Sequence, residues 1–165
     1  MSVNKYEPHM LIIPEDDANR QIANGFLTCL NVKCNAVQVL PPAKGWGSVL
    51  EKFGRDDCPK MRAYPNRRVL LLIDFDSKYT DRIALVQKEI PDFCKDRVFV
   101  LGVASEPERL KYNLSMSFEE VGRSLTKDCP HELSDTWKNE LLVHNETELK
   151  RMVNDVKSFL FVKDE

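Results

Sequence analysis

Residues Val69 to Ile73, "VLLLI", form an unbroken apolar run that ends in Asp74-Phe75-Asp76. A strand with one wet face alternates apolar and polar residues, so a continuous run predicts a strand covered on both faces, as in parallel sheets. "HMLIIP", "AVQVLP" and "DRVFVLGV" are shorter runs of the same kind. Between them lie segments with helical spacing: Ile22, Ala23, Phe26, Leu27 and Leu30 in one, Trp46, Val49, Leu50 and Phe53 in the next. "TDRIALVQKEIPDFC" predicts a further helix with Thr80 or Asp81 as its N-cap. Strand and helix signals that alternate in this way predict an α/β sandwich, with a mostly parallel central sheet and helices on both faces.

After residue 103 the signals are mainly helical. The last helix, in "NETELKRMVNDVKSFLFV", is expected to be capped by Asn145 and to bury Leu149, Met152, Val153 and Val156. With 165 residues and no repeat or low-complexity linker, the chain reads as one domain over 1–165, with a core at about 9–103 and a C-terminal helical part at about 104–165. "GRDDCPKMRAYPNRR", with two prolines and little periodicity, predicts an exposed loop.

A hydrophobic fraction of 42% and a net charge of −2 fit a globular protein with no general attraction for nucleic acid or anionic membranes. No transmembrane run and no apolar leader core are legible, so a cytoplasmic location is expected, with no membrane partner. The cysteines, Cys29, Cys34, Cys58, Cys94 and Cys129, are odd in number and include no C-x-x-C pair. That pattern predicts reduced thiols rather than a zinc site or a disulfide framework.

Acidic residues mark the ends of two strand runs: Glu15, Asp16 and Asp17 after "MLIIP", and Asp74 and Asp76 after "VLLLI". Ligands of open parallel sheets bind outside the carboxyl ends of the strands. If the two strands are neighbours, these carboxylates converge, and clustered like charges favour a raised pKa or a bound cation. Hard oxygen donors suit Mg2+ or Mn2+. Asp16 or Asp17 is equally placed to cap the helix that follows. Arg20, Lys44, Lys78 and Arg82 lie in segments after strand ends, on the rim where a phosphate backbone would be held.

A glutamate after the first strand and an Asp-x-Asp unit after the third resemble the Toprim domain of topoisomerases, bacterial primases and OLD-type nucleases of phage defence. The likeness covers about Met10 to Val103 and implies a Rossmannoid fold. It also implies metal-dependent, nuclease-like phosphodiester chemistry on nucleic acid, in phage defence or DNA processing. Glu15 would then serve in acid–base work and, with Asp74 and Asp76, in metal binding. Toprim sequences commonly carry Gly after the glutamate, where Asp16 stands here.

Two other readings compete. "MLIIPEDDANRQIANGFL" is also similar to the start of a response-regulator receiver. Asp74 would then be the phosphoacceptor, Ser105 the switch hydroxyl, and "LLVHNETELKRMVNDV" the fifth strand and last helix, with His144 and Asn145 where a lysine is expected, as in a degenerate receiver. Alternatively the chain is a non-enzymatic interaction subunit that docks a protein partner through its C-terminal helices and Trp137.

Overall fold

The computed structural model describes residues 2–163. Four parallel strands form the sheet: β1 (His9–Pro14), β2 (Val37–Val39), β3 (Arg67–Leu72) and β4 (Val98–Leu101), in the order β2-β1-β3-β4. The two most apolar runs are therefore neighbours at the centre, with Ile12 opposite Leu70. Met10, Ile12, Leu70, Phe99 and Leu101 face one helical layer, and Ile13, Val69, Leu71, Val98 and Val100 the other. Burial on both sides is why these strands read as continuous apolar runs.

The first layer holds α1 (Asp17–Leu27), and the second holds α2 (Trp46–Lys52), α3 (Lys60–Ala63) and α4 (Tyr79–Glu89). Beyond β4, α5 (Pro107–Leu114), α6 (Phe118–Thr126) and α7 (Glu146–Leu160) return to the α1 side. There α1 and α6 cross with their backbones in contact: a Cβ at Gly25 would stand 2.1 Å from Glu119 O, and one at Gly122 2.0 Å from Ile22 O. The result is the expected three-layer α/β sandwich.

The stretch read as an exposed loop is instead folded. A π-helical turn, Phe53–Asp57, extends α2, and the Cys58 amide bonds to Phe53 O at 2.7 Å. That wider turn brings Phe53, Cys58 and Met61 into the core, where the two prolines gave no sign of burial. Arg97 secures the segment by donating to the carbonyls of Met61, Tyr64, Pro65 and Arg67.

Local expectations also need correction. Helix α4 begins at Tyr79, with Lys78 rather than Thr80 or Asp81 at the N-cap. The segment expected as a fifth strand forms a 3-10 turn, Val143–Asn145. Asn145 does precede α7, but its side chain bonds to Gly102 instead of capping the helix. All five cysteines are free thiols. Among the described residues, no helix is long and apolar enough to cross a membrane.

Candidate active site at the switch point

From β1 the chain runs outward to β2, then returns across β1 to β3. The crevice outside the carboxyl ends of β1 and β3 is thus the topological switch point, where doubly wound sheets bind their ligands. Glu15 and Asp16 follow β1, and Asp74 follows β3.

Glu15 Oε2 accepts the Asp74 amide at 2.7 Å, so the two strand ends are joined by a side chain. The amides of Lys44 and Gly45 donate to Glu15 O at 2.8 and 3.3 Å, with both residues in left-handed backbone (φ 68° and 128°). Asp16 is the N-cap of α1, accepting Asn19 N at 2.8 Å. The same Asn19, 1% exposed, donates from Nδ2 to Asp16 Oδ1 and to Asp74 Oδ1, each at 3.0 Å. Asp16 therefore fills both roles that its position allowed: it caps the helix and joins the site.

The electrostatics follow from this crowding. Burial, then the charges of Asp16 and Glu15 and a hydrogen bond with Asp16, push the Asp74 carboxyl up to about 8, against the opposing pull of Asn19. Glu15 is raised too, first by burial and then by the charges of Asp16 and Asp76, while the Asp74 amide and Arg82 oppose the shift. Near neutral pH, Asp74 accordingly keeps its proton.

Asp76 was expected as a metal ligand beside Asp74, but its carboxylate is paired with Arg82 and half exposed. The cause is local: Asp76 and Ser77 turn through left-handed conformations (φ 46° and 60°), which carries Asp76 outward over α4. Arg82 Nη1 also donates to Asp74 O at 2.7 Å, and its guanidinium lies 4.7 Å from the Trp46 ring centroid. Arg82 is thus built into the acidic rim. Lys44 and Lys78 lie exposed on rim segments, and Arg20 is paired with Asp17 on the outer face of α1.

Carboxylate oxygens are the hard donors that Mg2+ or Mn2+ take, and Glu15, Asp16 and Asp74 are the carboxylates the fold brings together here. Among the described residues, however, no three His, Cys, Asp or Glu side chains surround a common point closely enough to hold an ion as they stand. Asn19 was missed by sequence reading; its one signal is its place three residues after the capping aspartate. Trp137, the anchor of the interaction-subunit reading, is partly buried between two apolar clusters and donates from Nε1 to Leu125 O at 2.9 Å. No protein-family model, curated protein or solved structure matches the chain.

Proposed function

We propose that the switch-point crevice binds Mg2+ or Mn2+ on Glu15, Asp16 and Asp74 and carries out nuclease-like phosphodiester chemistry on nucleic acid. The observation that carries this reading is the convergence of Glu15, Asp16 and Asp74 at two adjacent strand ends, joined through Asn19 and the Asp74 amide, where burial and acidic neighbours push the Asp74 carboxyl up. A cluster that holds a proton at neutral pH lacks positive charge, and a divalent cation supplies it. When bound, such an ion stabilises charge on a phosphoryl oxygen and lowers the pKa of a bound water. The chain's own part is to release the Asp74 proton, to keep Asp16 and Asp74 oriented through Asn19, and to offer the exposed Lys44 and Lys78 to phosphate oxygens. Glu15, with its raised pKa, is suited to accept a proton.

A second reading has its own support. The strand order is that of the first four strands of flavodoxin-like folds, the order also found in receivers. Ser105, just after β4, buries a hydroxyl with no hydrogen-bond partner. Against phosphotransfer to Asp74, His144 and Asn145 stand where a receiver's lysine would be, and both are bonded to Gly102.

The test is cleavage of single- and double-stranded DNA and RNA with Mg2+ or Mn2+, and with a chelator. The nuclease reading expects metal-dependent cleavage that Glu15→Ala and Asp74→Ala abolish while the circular dichroism spectrum is unchanged. Labelling of Asp74 by acetyl phosphate, without cleavage, would establish the receiver reading. Neither activity, with no metal-induced rise in Tm, would remove both.

A further inference from the structure

Strand β4 pairs with β3 on one side, and no strand among the described residues pairs with its other edge. The backbone groups of Leu101 and Val103 face β3, accepting the amides of Ile73 and Phe75. The intervening groups, at Val98, Val100 and Gly102, therefore point outward. Helix α7 and the turn before it meet them in order. Asn145 Oδ1 accepts Gly102 N at 3.2 Å, and its Nδ2 donates to Gly102 O at 2.9 Å. Glu148 Oε2 accepts Val100 N at 3.1 Å, and Arg151 Nη2 donates to Val98 O at 2.6 Å.

The match is one of spacing as well as of chemistry. Every third residue of a helix advances about 4.5 Å, whereas outward positions on a strand recur at about 6.6 Å. Long side chains at 148 and 151 span the difference. Glu148 and Arg151 also bond to each other at 2.6 Å, which holds both in place. The edge they cover, "VFVLGV", has no charge and no proline and is rich in β-branched residues. An exposed edge of that composition is prone to pair with another strand.

We propose that Asn145, Glu148 and Arg151 stand in for a fifth strand and hold the edge of β4 shut against a second copy of this chain. A second copy is the fitting occupant because the edge can complement itself. Antiparallel pairing centred on Phe99 sets Val98 of one copy opposite Val100 of the other, and a two-fold axis satisfies both edges with the groups that Glu148 and Arg151 cover.

Amide hydrogen exchange and sedimentation velocity on the full chain test this. Glu148→Ala leaves the Val100 amide without its acceptor, and a lost bond to a charged group corresponds to exchange about 10-fold faster or more. Glu148→Gln keeps a side-chain carbonyl and should retain most of the protection. The double variant Glu148→Ala/Arg151→Ala should form a concentration-dependent dimer in which the Val100 amide regains protection. Unchanged Val100 exchange in Glu148→Ala would overturn the proposal, as would a double variant that stays monomeric at every concentration. If the double variant unfolds, shown by equally fast exchange at Leu71, Glu148→Ala alone decides on the same two readouts.

Discussion

Replacing Asp74 by Asn tests the centre of the acidic site, because it substitutes an amide for the protonated carboxyl. In the folded chain Asp74 titrates near 8 instead of 3.8. Between those pH values the folded state holds a proton that the unfolded chain has released, so stability falls as pH rises through this window. Below it both states are protonated and the penalty is absent; above about 8 the penalty has reached its full size. Each tenfold difference in proton affinity is worth about 1.4 kcal/mol, which gives a loss on the order of 5 kcal/mol across the window. For a chain of this size that corresponds to a fall in Tm of roughly 10–20 °C. In Asp74→Asn the side-chain oxygen still accepts from Asn19, and the amide can donate toward Asp16. The variant should fold, match the native chain near pH 4, and exceed its stability at pH 8. Urea unfolding from pH 4 to 9, without divalent ions, reads the difference between the two curves, which includes the coupling of Asp74 to Glu15. Parallel curves would refute the retained proton, and an unfolded variant would make the carboxylate a structural necessity. Adding Mg2+ should restore stability to the native chain at pH 8 and leave Asp74→Asn nearly unmoved.

Two further outcomes are expected. His9 is buried, with Nδ1 2.7 Å from Glu7 O and Nε2 accepting from Arg67 Nε at 3.0 Å, which fixes a neutral Nδ1–H tautomer. His144, with Nε2 2.8 Å from Gly102 O, takes the opposite Nε2–H form. Burial lowers both pKa values, so both rings should remain neutral below 6.5 and stability should decline as pH falls beneath that value; 15N chemical shifts report tautomer and titration together. Gly25→Ala places a methyl 2.1 Å from Glu119 O and must force α1 and α6 apart. The cost of overpacking, about 1–3 kcal/mol, should outweigh the gain of about 1 kcal/mol in helix propensity, and denaturant unfolding measures the balance.

Much of the sheet was legible because burial on two faces leaves a local signature. Continuous apolar runs located β1, β3 and β4, and the fold made β1 and β3 the central neighbours on which convergence of the acids depended. The helix after β1 was legible for a similar reason, since its apolar spacing and an acidic cap lie within a few residues of one another. The rim position of Glu15 and Asp74 followed from strand direction alone. Only the folded chain decided which carboxylates meet: left-handed turning at Asp76 and Ser77 gave Asp76 to Arg82, and the first turn of α1 brought Asn19 between Asp16 and Asp74. The second outcome depends on a contact between residues 55 apart in the chain, Asn19 to Asp74, which no local pattern encodes. The same holds for "LLVHN", whose apolar residues read as a strand. In the folded chain, bonds from His144 and Asn145 to Gly102 hold it as a turn, and side chains of α7 complete the sheet edge. Period and composition report which residues become buried; the partners they meet are chosen by the packing of distant segments.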